Sequence, residues 1–147
     1  MTTFRGRTHI TKTRVRFGET DAAGIVFYAT FYAWFDVGTT GLLRAAAGDL
    51  RGEDGAPRWP VPIVESGARF SSPLYFDDEI EIRSTVTALG TSSLRIEHIV
   101  ARGDVEAARG FEVRVLIRRD GAAISGEPIP QELRASLTEG TSTEEVA

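Results

Sequence analysis

Residues 12–17 alternate, with Thr13, Val15 and Phe17 on one side and Lys12, Arg14 and Arg16 on the other. This is the period-two signature of a half-buried strand, closed by Gly18. From Phe31 the period changes: Phe31, Trp34, Phe35, Gly38, Leu42 and Ala45 recur at helical spacing, with Thr30 placed as an N-cap and Gly48 as a stop. The spacing predicts a helix of about five turns at ~3.6 residues per turn. Its other face carries Tyr32, Val37 and Leu43 besides Asp36, Thr40 and Arg44, so the helix should be largely enclosed. Gly38 and Gly41 each lower its propensity by about 1 kcal/mol, which suits a place where a sheet approaches the helix backbone closely.

Residues 48–60, rich in Gly, Asp, Arg and Pro, read as a loop, after which alternation returns in four strands. Val64, Ser66, Ala68 and Phe70 share one face of the first. Ile80, Ile82, Val86 and Ala88 line the second, opposite Glu81, Arg83, Thr85 and Thr87. Leu94, Ile96, His98 and Val100 mark the third, and Phe111, Val113, Val115 and Ile117 are expected on the inner face of the fourth. Turns are expected at 90–92 and 103–104, a break at Asp120-Gly121, and a short final helix over 130–137.

Strand, long apolar helix, then strands on short connections predict an α+β fold, one helix against one curved sheet of antiparallel neighbours. No repeat, linker or shift in composition offers a second domain a place to begin. The expectation is a single domain over 1–147, with a core over about 10–138 and frayed ends, because 1–10 lacks a period and 138–147 has little to bury.

Composition narrows the chemistry. The chain of 147 residues has no cysteine, which removes disulfides, thiolate metal sites and a cysteine nucleophile and fits a cytoplasmic setting. A net charge of -4 argues against nucleic acid as a main partner, and no apolar run approaches the roughly 20 residues of a membrane span. Of the 17 basic residues all but Lys12 are arginine, the side chain suited to bidentate phosphate contacts.

The informative segment is 15–36, VRFGETDAAGIVFYATFYAWFD, between the first strand and the helix. Ile25, Val26, Phe27 and Tyr28 form an apolar run where a loop would normally be polar. Asp21 stands just before it, with Gly24 between. A carboxylate beside a water-excluding wall is a stronger base, and burial there is expected to raise its pKa. The first N–H groups of the helix lack internal partners and are suited to stabilise an oxyanion. An isolated Asp-x-x-Gly is more often a turn, with Asp21 as its cap and Gly24 supplying a positive φ.

The run FGETDAAGIVFYATFYAWFD resembles the signature of the 4-hydroxybenzoyl-CoA thioesterase family: an aspartate, two residues, Gly-Ile-Val, then two aromatics leading into a central helix. The likeness continues through PIVESGARFSSPLYFDDEIEIR and SSLRIEH and covers most of 10–138. It implies a hotdog fold, an antiparallel sheet of five or six strands wrapped around one long central helix. It also implies an obligate dimer, often a dimer of dimers (a homotetramer), with active sites at the subunit interface and an acyl-CoA substrate. No metal or organic cofactor is implied. Asp21 takes the position of the catalytic aspartate, which attacks the thioester carbonyl or activates the water that does. The backbone N–H of Tyr28 takes that of the donor polarising the thioester oxygen, and Gly24 shapes the loop.

Phe27, Tyr28 and Trp34 are candidates for an aromatic, 4-hydroxybenzoyl-like or short acyl site, although aromatics at this spacing are more often core. Glu65 and Ser66 are expected to border it. Relatives often carry basic residues at the turn matching 90–92, where this chain has Gly-Thr-Ser; Arg95, Arg118 and Arg119 are the alternative anchors for CoA phosphates. Without an anchor, an acyl group on a carrier protein becomes the alternative substrate, and a non-catalytic acyl-CoA-binding module is a third reading. His98 falls on an apolar strand face and reads as a satisfied core histidine. A hotdog dehydratase would need His9 or His98 beside Asp21. No Gly-x-Ser-x-Gly, Gly-x4-Gly-Lys or His-Glu-x-x-His motif occurs.

Overall fold

The computed structural model describes residues 2–147; Met1, part of the expected frayed start, lies outside the described residues. The elements run β1 (Thr8–Arg14), a 3-10 turn (Phe17–Glu19), α1 (Tyr28–Ala47), β2 (Ile63–Phe70), β3 (Glu79–Leu89), β4 (Ser93–Arg102), β5 (Val105–Val115), β6 (Ile117–Asp120), β7 (Ala123–Gly126), α2 (Gln131–Thr138) and β8 (Ser142–Val146). Six strands form one sheet in the order β2-β5-β4-β3-β1-β8, and β6 and β7 make a separate hairpin. The long helix α1 packs across the sheet, the arrangement of a hotdog fold. No helix of the described residues is long and apolar enough to cross a membrane.

The helix begins three residues before the expected start. Phe27 occupies the cap position without a side-chain cap, and Thr30 lies inside the first turn, its hydroxyl donating to Glu19 O at 3.2 Å. A tertiary contact therefore replaces the local cap: Phe27 N–H also donates to Glu19 O, at 3.0 Å. The helix ends at Gly48, whose φ of 79° is the left-handed conformation that glycine adopts without strain. Phe31, Trp34, Phe35, Gly38 and Leu42 are buried as expected, but Ala45 is exposed and Thr39, Gly41 and Leu43 are buried instead. Enclosure is incomplete, since Tyr28, Tyr32 and Val37 remain exposed along one side.

The close approach expected at the helical glycines is present. A Cβ on Gly38 would collide with Ser84 Oγ, and one on Gly41 would meet Glu145 and the His9 ring. Gly38→Ala is accordingly expected to destabilise the protein by about 1–3 kcal/mol, the usual range for overpacking, measured by denaturant unfolding.

Four expectations need correction. β1 starts at Thr8 rather than 12 because its pairing with β3 runs from Thr8 opposite Thr85 to Arg14 opposite Glu79. Phe17 has left the strand for the 3-10 turn, 77% exposed, its ring edge-on to Phe76. Both ends are tied down rather than frayed: Phe4 N–H donates to Thr87 O at 2.8 Å, and β8 pairs in parallel with β1, making the sheet mixed. Alternate β8 side chains face opposite ways, so Glu144 reaches Lys12 while Glu145 lies 3.1 Å from His9. Parallel pairing thus orders a segment whose side chains stay exposed or half-buried.

The fourth correction inverts β5. Its helix-facing side carries Ala108, Gly110, Glu112 and Arg114, all buried and followed by buried Leu116 just past the strand, while the expected inner residues Phe111, Val113, Val115 and Ile117 are only half-buried. Phe35 packs directly on Gly110, where a side chain would not fit. Ser84, His98, Glu112 and Thr39 consequently form a polar layer across the core. One apolar cluster, around Phe31, Trp34, Phe35, Ile82 and Val100, lies on one side of it; another, around Leu42, Val86, Leu94, Ile96, Leu133 and Leu137, lies on the other.

Candidate active site

After β1 the chain folds into a short loop closed by a bridge between Thr20 and Val26. Within it Asp21 N–H donates to Ile25 O and Gly24 N–H to Asp21 O, both at 2.9 Å. Ala23 N–H donates to Asp21 Oδ1 at 2.8 Å, and Gly24 has a φ of 81°. The turn reading of Asp21 and Gly24 is therefore correct as local structure. It also has a chemical consequence. One carboxylate oxygen is held by the turn, and Oδ2 has no partner among the described residues.

The expected burial of Asp21 is not found: the side chain is exposed at the mouth of a cleft of about 610 Å³. Ile25, Val26, Phe27, Tyr28 and Phe31 line one side, and Phe70, Ser71, Ser72, Pro73 and Leu74 the other. The two walls are stitched together by Val26 N–H donating to Leu74 O at 2.9 Å and by a bridge between Ile25 and Tyr75. Phe31 and Phe70 meet across the cleft with centroids 5.1 Å apart, and Phe27 rests against Tyr28 at 4.8 Å.

Tyr28 is the first residue of α1, and the backbone N–H groups of Tyr28 and Ala29 have no acceptor among the described residues. A helix start with no side-chain cap leaves these donors for a ligand, with the dipole favouring negative charge there. Asp21, Gly24, Phe27 and Tyr28 are thus brought together by one loop and one helix turn.

The remaining candidates fall elsewhere. Trp34 is a core residue, 3% exposed, and its indole N–H donates to Glu19 Oε2 at 2.8 Å, so it braces the loop from behind instead of lining the cleft. Glu65 pairs opposite Val113 on the sheet face turned away from α1, and the Ser66 hydroxyl donates to Phe111 O at 2.9 Å. Arg95 lies over the Phe111 ring at 4.1 Å, and Arg118, on the exposed β6–β7 hairpin with Arg119, pairs with Asp120 at 3.3 Å. None of these six lines the cleft. Phe31, Phe70, Ser71 and Ser72, which do, carried no sequence signal distinguishing them from core or turn.

Neither histidine is in the cleft, which leaves the dehydratase reading without its His-acid pair beside Asp21. His9 Nδ1 is 2.7 Å from the Thr143 hydroxyl. His98 is fully buried, stacked on Phe35, 2.8 Å from the Ser84 hydroxyl and 3.1 Å from Glu112 Oε1. Burial lowers its pKa more than Glu112 raises it, so the ring is neutral, Nε2–H donating to Glu112 and Nδ1 accepting from Ser84. Burial pushes the Glu112 carboxyl up, but hydrogen bonds from His98, Arg114 and Thr39 outweigh it and bring it down to about 2. Arg114 Nη2 bridges Glu112 Oε2 and Asp36 Oδ1, each at 2.9 Å, and its Nη1 holds Val61 O at 3.0 Å. Sequence reading missed this network because two charged residues in a strand of mixed polarity signal an outward face.

A family model described as thioesterase-like superfamily matches residues 15–137. The chain belongs to this family. It is a thioester hydrolase by family and a hotdog protein by fold, in agreement with the resemblance carried by residues 15–36. A 1,4-dihydroxy-2-naphthoyl-CoA hydrolase of Gloeothece citriformis is 33% identical over 106 residues, covering 70% of this chain and 74% of its own. The 4-hydroxybenzoyl-CoA thioesterase of a Pseudomonas species is 28% identical over 132 residues, covering 80% and 88%. Among solved structures, a gentisyl-coenzyme A thioesterase superposes with a TM-score of 0.75 at 34% identity, covering 87% of this thioesterase and 98% of that chain. A variant of 4-hydroxybenzoyl-CoA thioesterase complexed with 4-hydroxybenzoyl-CoA gives 0.77 at 25% identity, covering 89% and 99%.

Proposed function

We propose that this thioesterase hydrolyses an aromatic or short acyl-CoA to the free acid and CoA, with Asp21 as nucleophile or general base and the Tyr28 N–H polarising the thioester oxygen. The observation that carries the reading is the convergence of a carboxylate oxygen and an uncapped helix N–H on one aromatic-walled cleft. A thiolate leaves with little need for protonation, so one carboxylate and one oxyanion donor suffice. The aromatic preference rests on Phe27, Tyr28, Phe31 and Phe70 and on the aromatic acyl groups in the names of the relatives.

A second copy of the chain completes the site in this reading. β2 is an open sheet edge, exposing Ile63 and Val64, and α1 exposes Tyr28, Tyr32 and Val37. Edge pairing of two copies would cover both and leave the cleft at their interface.

The carrier-protein alternative draws on the turn at 90–92, which has no basic residue of its own. Against it, Arg134 of α2 reaches that turn, its Nη2 donating to Gly90 O at 2.6 Å and Thr91 O at 3.2 Å, and so brings a guanidinium where the chain lacks one. Thiol release from matched acyl-CoA and acyl-carrier substrates decides the matter. Faster turnover of 4-hydroxybenzoyl-CoA or 1,4-dihydroxy-2-naphthoyl-CoA is the expected result, and a strong carrier preference would overturn the CoA assignment.

A further inference from the structure

Ser71 and Ser72 stand out in the cleft because its other lining groups opposite Asp21 are apolar. Phe70, Pro73 and Leu74 flank them, and neither serine hydroxyl has a hydrogen-bond partner among the described residues. Their backbone is held firmly: both N–H groups donate to Ala107 O, at 2.8 and 3.3 Å, and Leu74 O receives Val26 N–H. Pro73 restricts the chain between these two anchors. The hydroxyls are therefore presented by a fixed wall that is itself stitched to the Asp21 loop through the Ile25–Tyr75 bridge.

Asp21 is tied through Oδ1 to Ala23 N–H, which leaves Oδ2 as its reactive oxygen. A carboxylate oxygen accepts one proton of a water but does not by itself fix the direction of the water's lone pair. A second polar group is needed, and in this apolar cleft the candidates on the opposite wall are these two hydroxyls. Ser72 is half-buried and Ser71 exposed, so Ser72 has fewer directions open to it.

We propose that Ser72, assisted by Ser71, holds the water that Asp21 activates, which favours the general-base route within the thioesterase reading on which this inference rests. Asp21 Oδ2 takes one proton from that water as its oxygen bonds to the thioester carbonyl carbon. The carbon–sulfur bond then breaks, the thiolate leaves with the electron pair and receives the proton from Asp21, and the acid is released. Each hydroxyl is a neutral hydrogen-bond partner, so losing one should lower turnover by about tenfold and losing both by about 10–100-fold.

The test compares wild type with Ser72→Ala, Ser71→Ala, the double variant and Ser72→Thr, using 4-hydroxybenzoyl-CoA and 1,4-dihydroxy-2-naphthoyl-CoA. The readouts are kcat, KM and the partition between acid and hydroxamate when hydroxylamine competes with water. Since the anchoring bonds are made by backbone groups, the alanine variants should melt with wild type. The expected result is a fall in kcat with KM nearly unchanged, a larger hydroxamate share, and recovery in Ser72→Thr. Unchanged kcat, or a rise in KM alone with the partition unmoved, would overturn the proposal while leaving the thioesterase standing, because the hydroxyls would then contact substrate or nothing. A wild type that releases no thiol from either substrate would remove the acyl-CoA reading and this inference with it.

Discussion

Asp21→Asn is expected to lower kcat by about 10³-fold or more while leaving the melting temperature within about 1 °C of wild type, since general-base and nucleophilic groups contribute on that scale. Asparagine keeps an oxygen for the Ala23 N–H, so the turn that shapes the loop survives. Only the charge and the proton-accepting oxygen are lost. Because the Tyr28 N–H and the aromatic walls are untouched, KM should change little, and the loss should appear in kcat. Thiol release under saturating acyl-CoA measures this directly. Equal rates in the two proteins would remove Asp21 from the mechanism, and a large drop in melting temperature would mean that the loop, not the chemistry, had failed.

The second large effect concerns stability. Glu112→Ala should destabilise the protein by about 3–5 kcal/mol, the usual cost of stripping one partner from a buried ion pair. Glu112 is 1% exposed, and its removal strands Arg114 in the core with only exposed Asp36 opposite, besides leaving His98 Nε2–H and the Thr39 hydroxyl without their acceptor. At about 2–4 °C per kcal/mol for a chain of this size, the melting temperature should fall by roughly 6–20 °C. A shift below about 2 °C in calorimetry would show that the network adds nothing net.

The same group sets an acid limit. Its folded pKa, about 2, lies below the ordinary value of 4.5, so its stabilising contribution is fully present above 4.5. As pH falls from there towards 2 the unfolded state binds the proton first, and the contribution is lost progressively. Urea unfolding of wild type at pH 5 and pH 3 should show the loss. In Glu112→Gln the part of the pH dependence due to this carboxylate should vanish.

The helix, the strands of β3 and β4, the turns between them and the aspartate loop are all legible along the chain, because each depends on local periodicity or on a motif of a few residues. Asp21, Gly24, Phe27 and Tyr28 were readable together because one loop and one helix turn position them. Trp34, open to both a core and an acyl-site reading, was not decided by sequence for the opposite reason. Helical spacing tells which residues share a face but not whether that face meets a core or a cleft, and the answer came from Glu19 accepting its indole proton.

What tertiary structure alone decided is where polar residues go. β5 carries Glu112 and Arg114 inward because His98, Thr39 and Asp36, distant in sequence, supply the hydrogen bonds that make burying those charges tolerable. β8 is a strand because β1 offers it an unpaired edge, not because 142–146 has an apolar face. Ser71 and Ser72 come to line the cleft because their N–H groups bond to Ala107 O and the neighbouring Leu74 O is held by Val26 N–H. Sequence by itself determined the long helix, most of the strands and the aspartate loop, since short-range patterns specify backbone conformation; the partners of buried charges, edge strands and opposing cleft walls are set by long-range contacts that no local pattern encodes.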